Sequence, residues 1–139
     1  MPANELGWVP PEELLEHARR AALSAYAPYS RFRVGAAVVA GGEIVLGCNV
    51  ENASYGLSMC AERVAAFKAQ SEGRGPLSQV AVSCIDADPK AGPEGRMPCG
   101  ACRQVLAELA GPDTPVWVDG AGEFSVSQLL PSAFRLPRP

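Results

Sequence analysis

The chain is 139 residues long, which suits one compact domain and leaves no room for a second full one. Its 47% hydrophobic and 19% charged content excludes wholesale disorder. A net charge of -3, from 12 basic and 15 acidic side chains, offers no electrostatic footprint for duplex nucleic acid or an anionic membrane, so small ligands or protein partners remain. The start, MPANELGWVPP, lacks a basic segment and an apolar run, and the longest uncharged apolar stretch inside the chain is Val34 to Gly42. Neither a signal peptide nor a membrane span is expected, and a cytoplasmic address follows. Five cysteines, an odd number without a secretory signal, argue for reduced thiols, some of them metal ligands, rather than a disulfide framework.

In chain order, Pro10 and Pro11 open a helix over 11–25 with Leu14, Leu15, Ala18 and Ala22 at helical spacing. Its other face carries Glu12, Glu16 and Arg20, and His17, the only histidine, reads as a surface residue. Residues 32–40 and 43–48 are strand-like runs joined by Gly41-Gly42, a two-residue hairpin signal, so they form an antiparallel pair. A loop over 49–58 leads to a second helix over 59–69, on which Cys60, Val64 and Phe67 share a stripe expected to be buried. A strand over 79–85, a loop over 86–98 rich in Pro, Gly and charge, and a third helix over 100–110 come next. A short strand at 115–119 and a helical turn or two at 126–130 end the pattern. The fold class this predicts is α/β, a mixed sheet of roughly five strands in a three-layer α/β/α arrangement forming one domain over 1–139.

Chemistry concentrates at two helix starts. Cys60-Ala61-Glu62 opens the second helix and Pro98-Cys99-Gly100-Ala101-Cys102 the third. Helix N-termini carry about half a positive charge each, which favours the thiolate a metal needs. Three soft ligands near one point suit a tetrahedral zinc with its fourth position left for water, and an open position implies catalysis rather than scaffolding. Taken alone, Cys99 and Cys102 fit a redox pair or a structural zinc knuckle equally well. Glu62 is poorly placed as a fourth ligand beside Cys60, yet its side chain reaches back to where a proton shuttle belongs. This combination has the pattern of zinc nucleobase deaminases, with Cys60 where those carry histidine. Three thiolates on Zn²⁺ leave a net charge of about -1, so a neighbouring cation is needed, and Arg63 lies three residues beyond Cys60 on the same face. Cys48 and Cys84 fall in strands and are read as small core hydrophobes.

Over most of its length, through PYSRFRVGAAV, GCNVENASYGLSMCAERVAAFKA, PCGACRQVL and LLPSAF, the chain resembles cytidine deaminases of the small, homotetrameric, three-cysteine zinc type. The resemblance implies one zinc per chain on Cys60, Cys99 and Cys102. It also implies hydrolysis of cytidine and deoxycytidine to uridine or deoxyuridine and ammonia, in pyrimidine salvage. Glu62 would then be the general acid and base and Arg63 a donor to the ligand thiolates. By the same resemblance Asn49 and Glu51 bind ribose hydroxyls, Phe32 packs on the base and the Ala61 main chain meets the pyrimidine edge. Ala53, Tyr55 and Phe134 count as substrate contacts, with Phe134 reaching a neighbouring subunit's site in a homotetramer. A deaminase of another base, nucleoside or nucleotide would keep the zinc and Glu62 but differ around Asn49 and Glu51. A structural zinc module, the non-enzyme alternative, would need a fourth protein ligand.

Overall fold

A computed structural model of the chain describes residues 7–139; the first six residues, half of the start from which the absence of a signal peptide was argued, lie outside them. The elements are α1 (Pro11–Ala22), β1 (Val34–Ala40), β2 (Glu43–Cys48), α2 (Ala61–Ser71), β3 (Leu77–Cys84), α3 (Gly100–Leu109), β4 (Pro115–Val118), β5 (Gly122–Ser125) and α4 (Val126–Leu129). The five strands form one mixed sheet in the order β2-β1-β3-β4-β5. Strand β1 pairs antiparallel on both sides, whereas the central strand β3 and its neighbour β4 run parallel across the α3 connection. A parallel pair needs such a crossover, which is why the chain spends a helix there. No helix among the described residues is long and apolar enough to cross a membrane.

Strand side chains alternate between faces, and the two cores follow that period. Ala37 and Val39 of β1, Ala81 of β3 and Trp117 of β4 form one cluster with Leu14 and Ala18 of α1. Ala36, Val38 and Ala40, with Val80 and Val82, point the other way against Ala61, Ala65 and Ala66 of α2 and Leu106 of α3. Helices thus cover both faces, giving the three-layer arrangement. Two glycines set how close they come. A Cβ on Gly35 would lie 1.9 Å from the Ala18 carbonyl oxygen, and one on Gly47 2.5 Å from the Ala65 nitrogen, so α1 and α2 rest directly on strand backbone.

That close approach overturns one expectation. The stripe Cys60, Val64, Phe67 is not the buried face of α2: the buried residues are Ala61, Glu62, Ala65, Ala66 and Ala69, and Phe67 is 44% exposed. Over Gly47 only alanine-sized side chains fit, so the large residues turn outward. The first helix ends at Ala22 rather than residue 25, because Leu23, Ser24 and Ala25 tighten into bonds to the third residue back. Strand β5 lacked a sequence signal, since GEFS is short, polar and on a sheet edge. The hairpin turn is as expected: Gly41 and Gly42 have φ of 57° and 73°, the left-handed pair that matches strand twist.

Candidate metal centre and active-site cavity

Cys60 and Cys99 are the N-cap residues of α2 and α3. Each uses its carbonyl to start the helix, accepting from the Val64 and Arg103 amides at 3.1 and 3.0 Å. Neither thiol caps the helix, so both sulfurs stay available. Cys102 stands one turn into α3, buried. Cys60 Sγ lies 3.9 Å from Cys99 Sγ, and Cys99 Sγ 3.5 Å from Cys102 Sγ. Tetrahedral zinc with Zn–S bonds of about 2.3 Å spaces its sulfurs at about 3.8 Å, so the donor set fits this ion. The three ligand atoms all lie within 4.8 Å of one another, and no other group of three metal-ligating side chains occurs among the described residues. Cys48, Cys84 and His17 are not in the cluster, so the fourth protein ligand that a closed structural site requires is missing from it. The three cysteines fit one zinc per chain.

The electrostatics answer the charge count. Arg63 Nη2 donates to Cys60 Sγ at 3.4 Å, and Arg63 Nε is buried with no hydrogen-bond partner among the described residues. Hydrogen bonding from Cys102 holds the Cys60 thiol down at about 5, and Arg63 adds to that. Cys102, as the donor to that sulfur and buried besides, is pushed up. Glu62 is only 5% exposed, and burial pushes its carboxyl up to about 7. A buried carboxyl near neutrality beside a metal-ligating cluster is suited to taking and returning a proton.

A cavity of about 250 Å³ opens over this cluster, and Phe32, Asn49, Glu51, Ala61 and Glu62 line it with Cys60 and Cys99. Asn49 also serves the backbone: its Oδ1 accepts from the Val34 amide and its Nδ2 donates to the Phe32 carbonyl, both at 2.8 Å. Glu51 accepts from the Tyr29 and Ser30 amides at 3.0 and 3.1 Å and from the Ser30 hydroxyl, which holds its carboxyl below the usual range. Ala53, Tyr55 and Phe134 are not brought to this cavity within the chain. Tyr55 is 80% exposed, beside an adjoining depression that shares Glu51 and Ser58 with the cavity. Phe134 is 69% exposed, on a tail held by Gln104 Nε2 donating to its carbonyl at 3.0 Å.

Sequence reasoning missed part of the wall. Cys84, buried at the end of β3, faces the cavity as well as the core, and burial pushes its thiol up to about 11. Gly95, Arg96 and Met97, from a 3-10 turn in the 86–98 loop, form another side. Their only signal was position, immediately before Pro98-Cys99.

Comparison with known proteins agrees with this geometry. The family model for the cytidine and deoxycytidylate deaminase zinc-binding region matches residues 10–117. The cytidine deaminase of Halalkalibacterium halodurans is 50% identical over 126 residues, covering 87% of this chain and 91% of that protein. That of Mycobacterium tuberculosis is 46% identical over 125 residues, 86% of either chain. The crystal structure of cytidine deaminase from Burkholderia pseudomallei superposes with a TM-score of 0.79 at 45% identity, covering 91% of this chain and 100% of that one. With the zinc-fitting thiol cluster inside the matched region, the chain belongs to the cytidine and deoxycytidylate deaminase family.

Proposed function

We propose that this protein is a cytidine deaminase that hydrolyses cytidine and 2'-deoxycytidine to uridine and 2'-deoxyuridine, releasing ammonia. The carrying observation is a cluster of three thiols, Cys60, Cys99 and Cys102, within 4.8 Å of one another, two of which line one cavity together with the buried carboxyl of Glu62. Zinc held by Cys60, Cys99 and Cys102 supplies the Lewis-acid activation of water for attack at C4. Glu62 takes a proton from the attacking water and delivers it to N3, then takes the hydroxyl proton of the C4 adduct as the carbonyl forms and passes it to the departing amine, which leaves as ammonia. Arg63 compensates the charge of the ligand thiolates, with the N-termini of α2 and α3 adding about +1 together. Asn49 and Glu51 receive the ribose hydroxyls, Phe32 packs on the base and the Ala61 main chain meets the pyrimidine edge. The free lone pairs of Glu51 suit hydroxyl donors even with three local donors bound.

Ala53, Tyr55 and Phe134 complete the site between subunits of a homotetramer. The exposure of Tyr55 and Phe134 within a single chain supports that reading, since aromatic residues are enriched at protein interfaces relative to the rest of the surface. The enzyme works in pyrimidine salvage in the cytoplasm. The test is an absorbance assay over a panel of nucleosides, nucleotides and free bases, with zinc quantified in the same sample. Turnover of cytidine with about one zinc per chain is expected; activity confined to nucleotides or free bases would replace the substrate assignment. Sedimentation decides the assembly, and a fully active monomer would overturn the shared site.

A further inference from the structure

Phe32 reaches the cavity on a segment that turns through Arg31, whose φ of 58° is a left-handed value that non-glycine residues disfavour. Such a residue persists only where its surroundings over-determine it. On one side they do so through the cavity residues already described: Glu51 holds Tyr29 and Ser30, and Asn49 holds Phe32 and Val34. The remaining anchor comes from a different wall. Asp86 Oδ2 accepts from the Arg33 backbone amide at 2.8 Å and from Arg33 Nε at 2.9 Å, while Oδ1 accepts from Nη2 at 2.9 Å.

The position of this clasp gives it its meaning. The backbone ladder between β1 and β3 stops at the pair Val34 and Cys84, and both of those residues line the cavity. Arg33 and Asp86 follow directly beyond it, so a side-chain clasp continues the pairing where the strands part. From Asp86 the chain runs into the 86–98 loop, which supplies Gly95, Arg96 and Met97 to the wall and then leads to Cys99. One carboxylate therefore ties the segment carrying Phe32 to the loop that leads to Cys99. With side-chain exposures of 42% and 26%, the ion pair itself adds little to global stability. Three convergent bonds on one carboxylate do fix a geometry.

We infer that the Arg33–Asp86 clasp is a positioning device for substrate binding, setting the spacing between the Phe32 segment and the 86–98 loop without itself touching the nucleoside. This deepens the deaminase reading and rests on it for its substrate.

The experiment compares the zinc-loaded wild type with Asp86→Ala, Arg33→Ala and the double variant; Asp86→Asn, which keeps an acceptor for the Arg33 amide, replaces Asp86→Ala if that variant does not fold. Two quantities are read: KM and kcat for cytidine, and the rate at which iodoacetamide alkylates Cys84, followed by peptide mass. Each single variant is expected to raise KM about fivefold, the scale of a partly exposed charge-assisted contact, with kcat held. Each is also expected to speed Cys84 alkylation, and the double variant to go no further than either single one, because both remove the same interaction. An unchanged KM, a loss confined to kcat, unchanged alkylation of Cys84, or effects that multiply in the double variant would each overturn the clasp. If the wild type leaves cytidine intact, the deaminase reading falls, and the alkylation comparison alone decides the clasp.

Discussion

Arg63 Nη2 sits 3.4 Å from Cys60 Sγ, three residues away on one face of α2. Three thiolates would carry more negative charge than a divalent ion cancels, which opposes water activation, and this guanidinium is the nearest remedy the chain itself provides. Replacing Arg63→Gln keeps a donor but removes the charge. Zinc affinity or turnover is expected to fall about 10- to 100-fold, the usual cost of losing a group that supports metal ligands, measured by chelator competition and by the cytidine assay.

Glu62 lies 5% exposed at the cavity, in the first turn of α2. Glu62→Gln preserves shape and removes the titrating oxygen. Turnover is expected to drop by about 10²- to 10⁴-fold, the range for losing a general acid and base, while zinc per chain stays as in the wild type. Near-normal turnover would remove Glu62 from the reaction.

The Cys99 sulfur lies 3.9 Å from that of Cys60 and 3.5 Å from that of Cys102. Cys99→Ala is expected to lower bound zinc from about one equivalent to well below half after dialysis, because a two-thiolate remnant no longer closes around the ion. Elemental analysis reads this directly, and unchanged metal content would sink the ligand assignment.

Gly35 leaves room for α1 to lie on β1, and a methyl group there would meet the Ala18 carbonyl at 1.9 Å. Helix and strand would have to separate. Gly35→Ala is expected to destabilise the fold by about 3 kcal/mol or more, at the upper end for overpacking because the obstacle is backbone, as read by chemical denaturation.

Asp119 accepts from Arg19 Nε at 2.8 Å and Nη2 at 3.0 Å, and from the Ser83 hydroxyl at 2.8 Å, joining α1 to the end of β4. The Arg19 bonds hold its carboxyl below the ordinary range. A depressed carboxyl stabilises the fold fully above its unfolded value of about 3.9 and loses that contribution as pH falls through the folded value. Asp119→Asn is therefore expected to cost about 1–3 kcal/mol at neutral pH and to lessen the loss of stability as the pH falls below about 4, in acid titrations followed by circular dichroism.

Local pattern carried much of this fold. The paired glycines at 41 and 42 specify a left-handed turn, and β2 runs over the residues its composition suggests. The cysteine spacings at two helix starts also pointed to a thiol cluster able to hold a metal ion, because a helix N-terminus favours the thiolate and Cys60 adds a third sulfur to the pair at 99 and 102. Where the pattern misled was α2. Its apolar residues at helical spacing include Phe67, but the helix lies so close to Gly47 that alanines fill the interface and Glu62 is buried with them. The 86–98 loop had no periodicity to read, and its part in the cavity depends on where β3 and α3 happen to place its ends.

By itself, then, the amino-acid sequence pointed to the three thiols that fit a zinc, to Glu62 beside them and to the alternation of strands and helices, since these rest on residue type and short spacing. Tertiary structure alone decided which sulfurs meet at 3.5 and 3.9 Å, that Glu62 is desolvated to about 7, and that Arg33 and Asp86 clasp across 53 residues of chain. Distances between remote segments and the loss of water around a charge are properties of packing, and no local pattern encodes them.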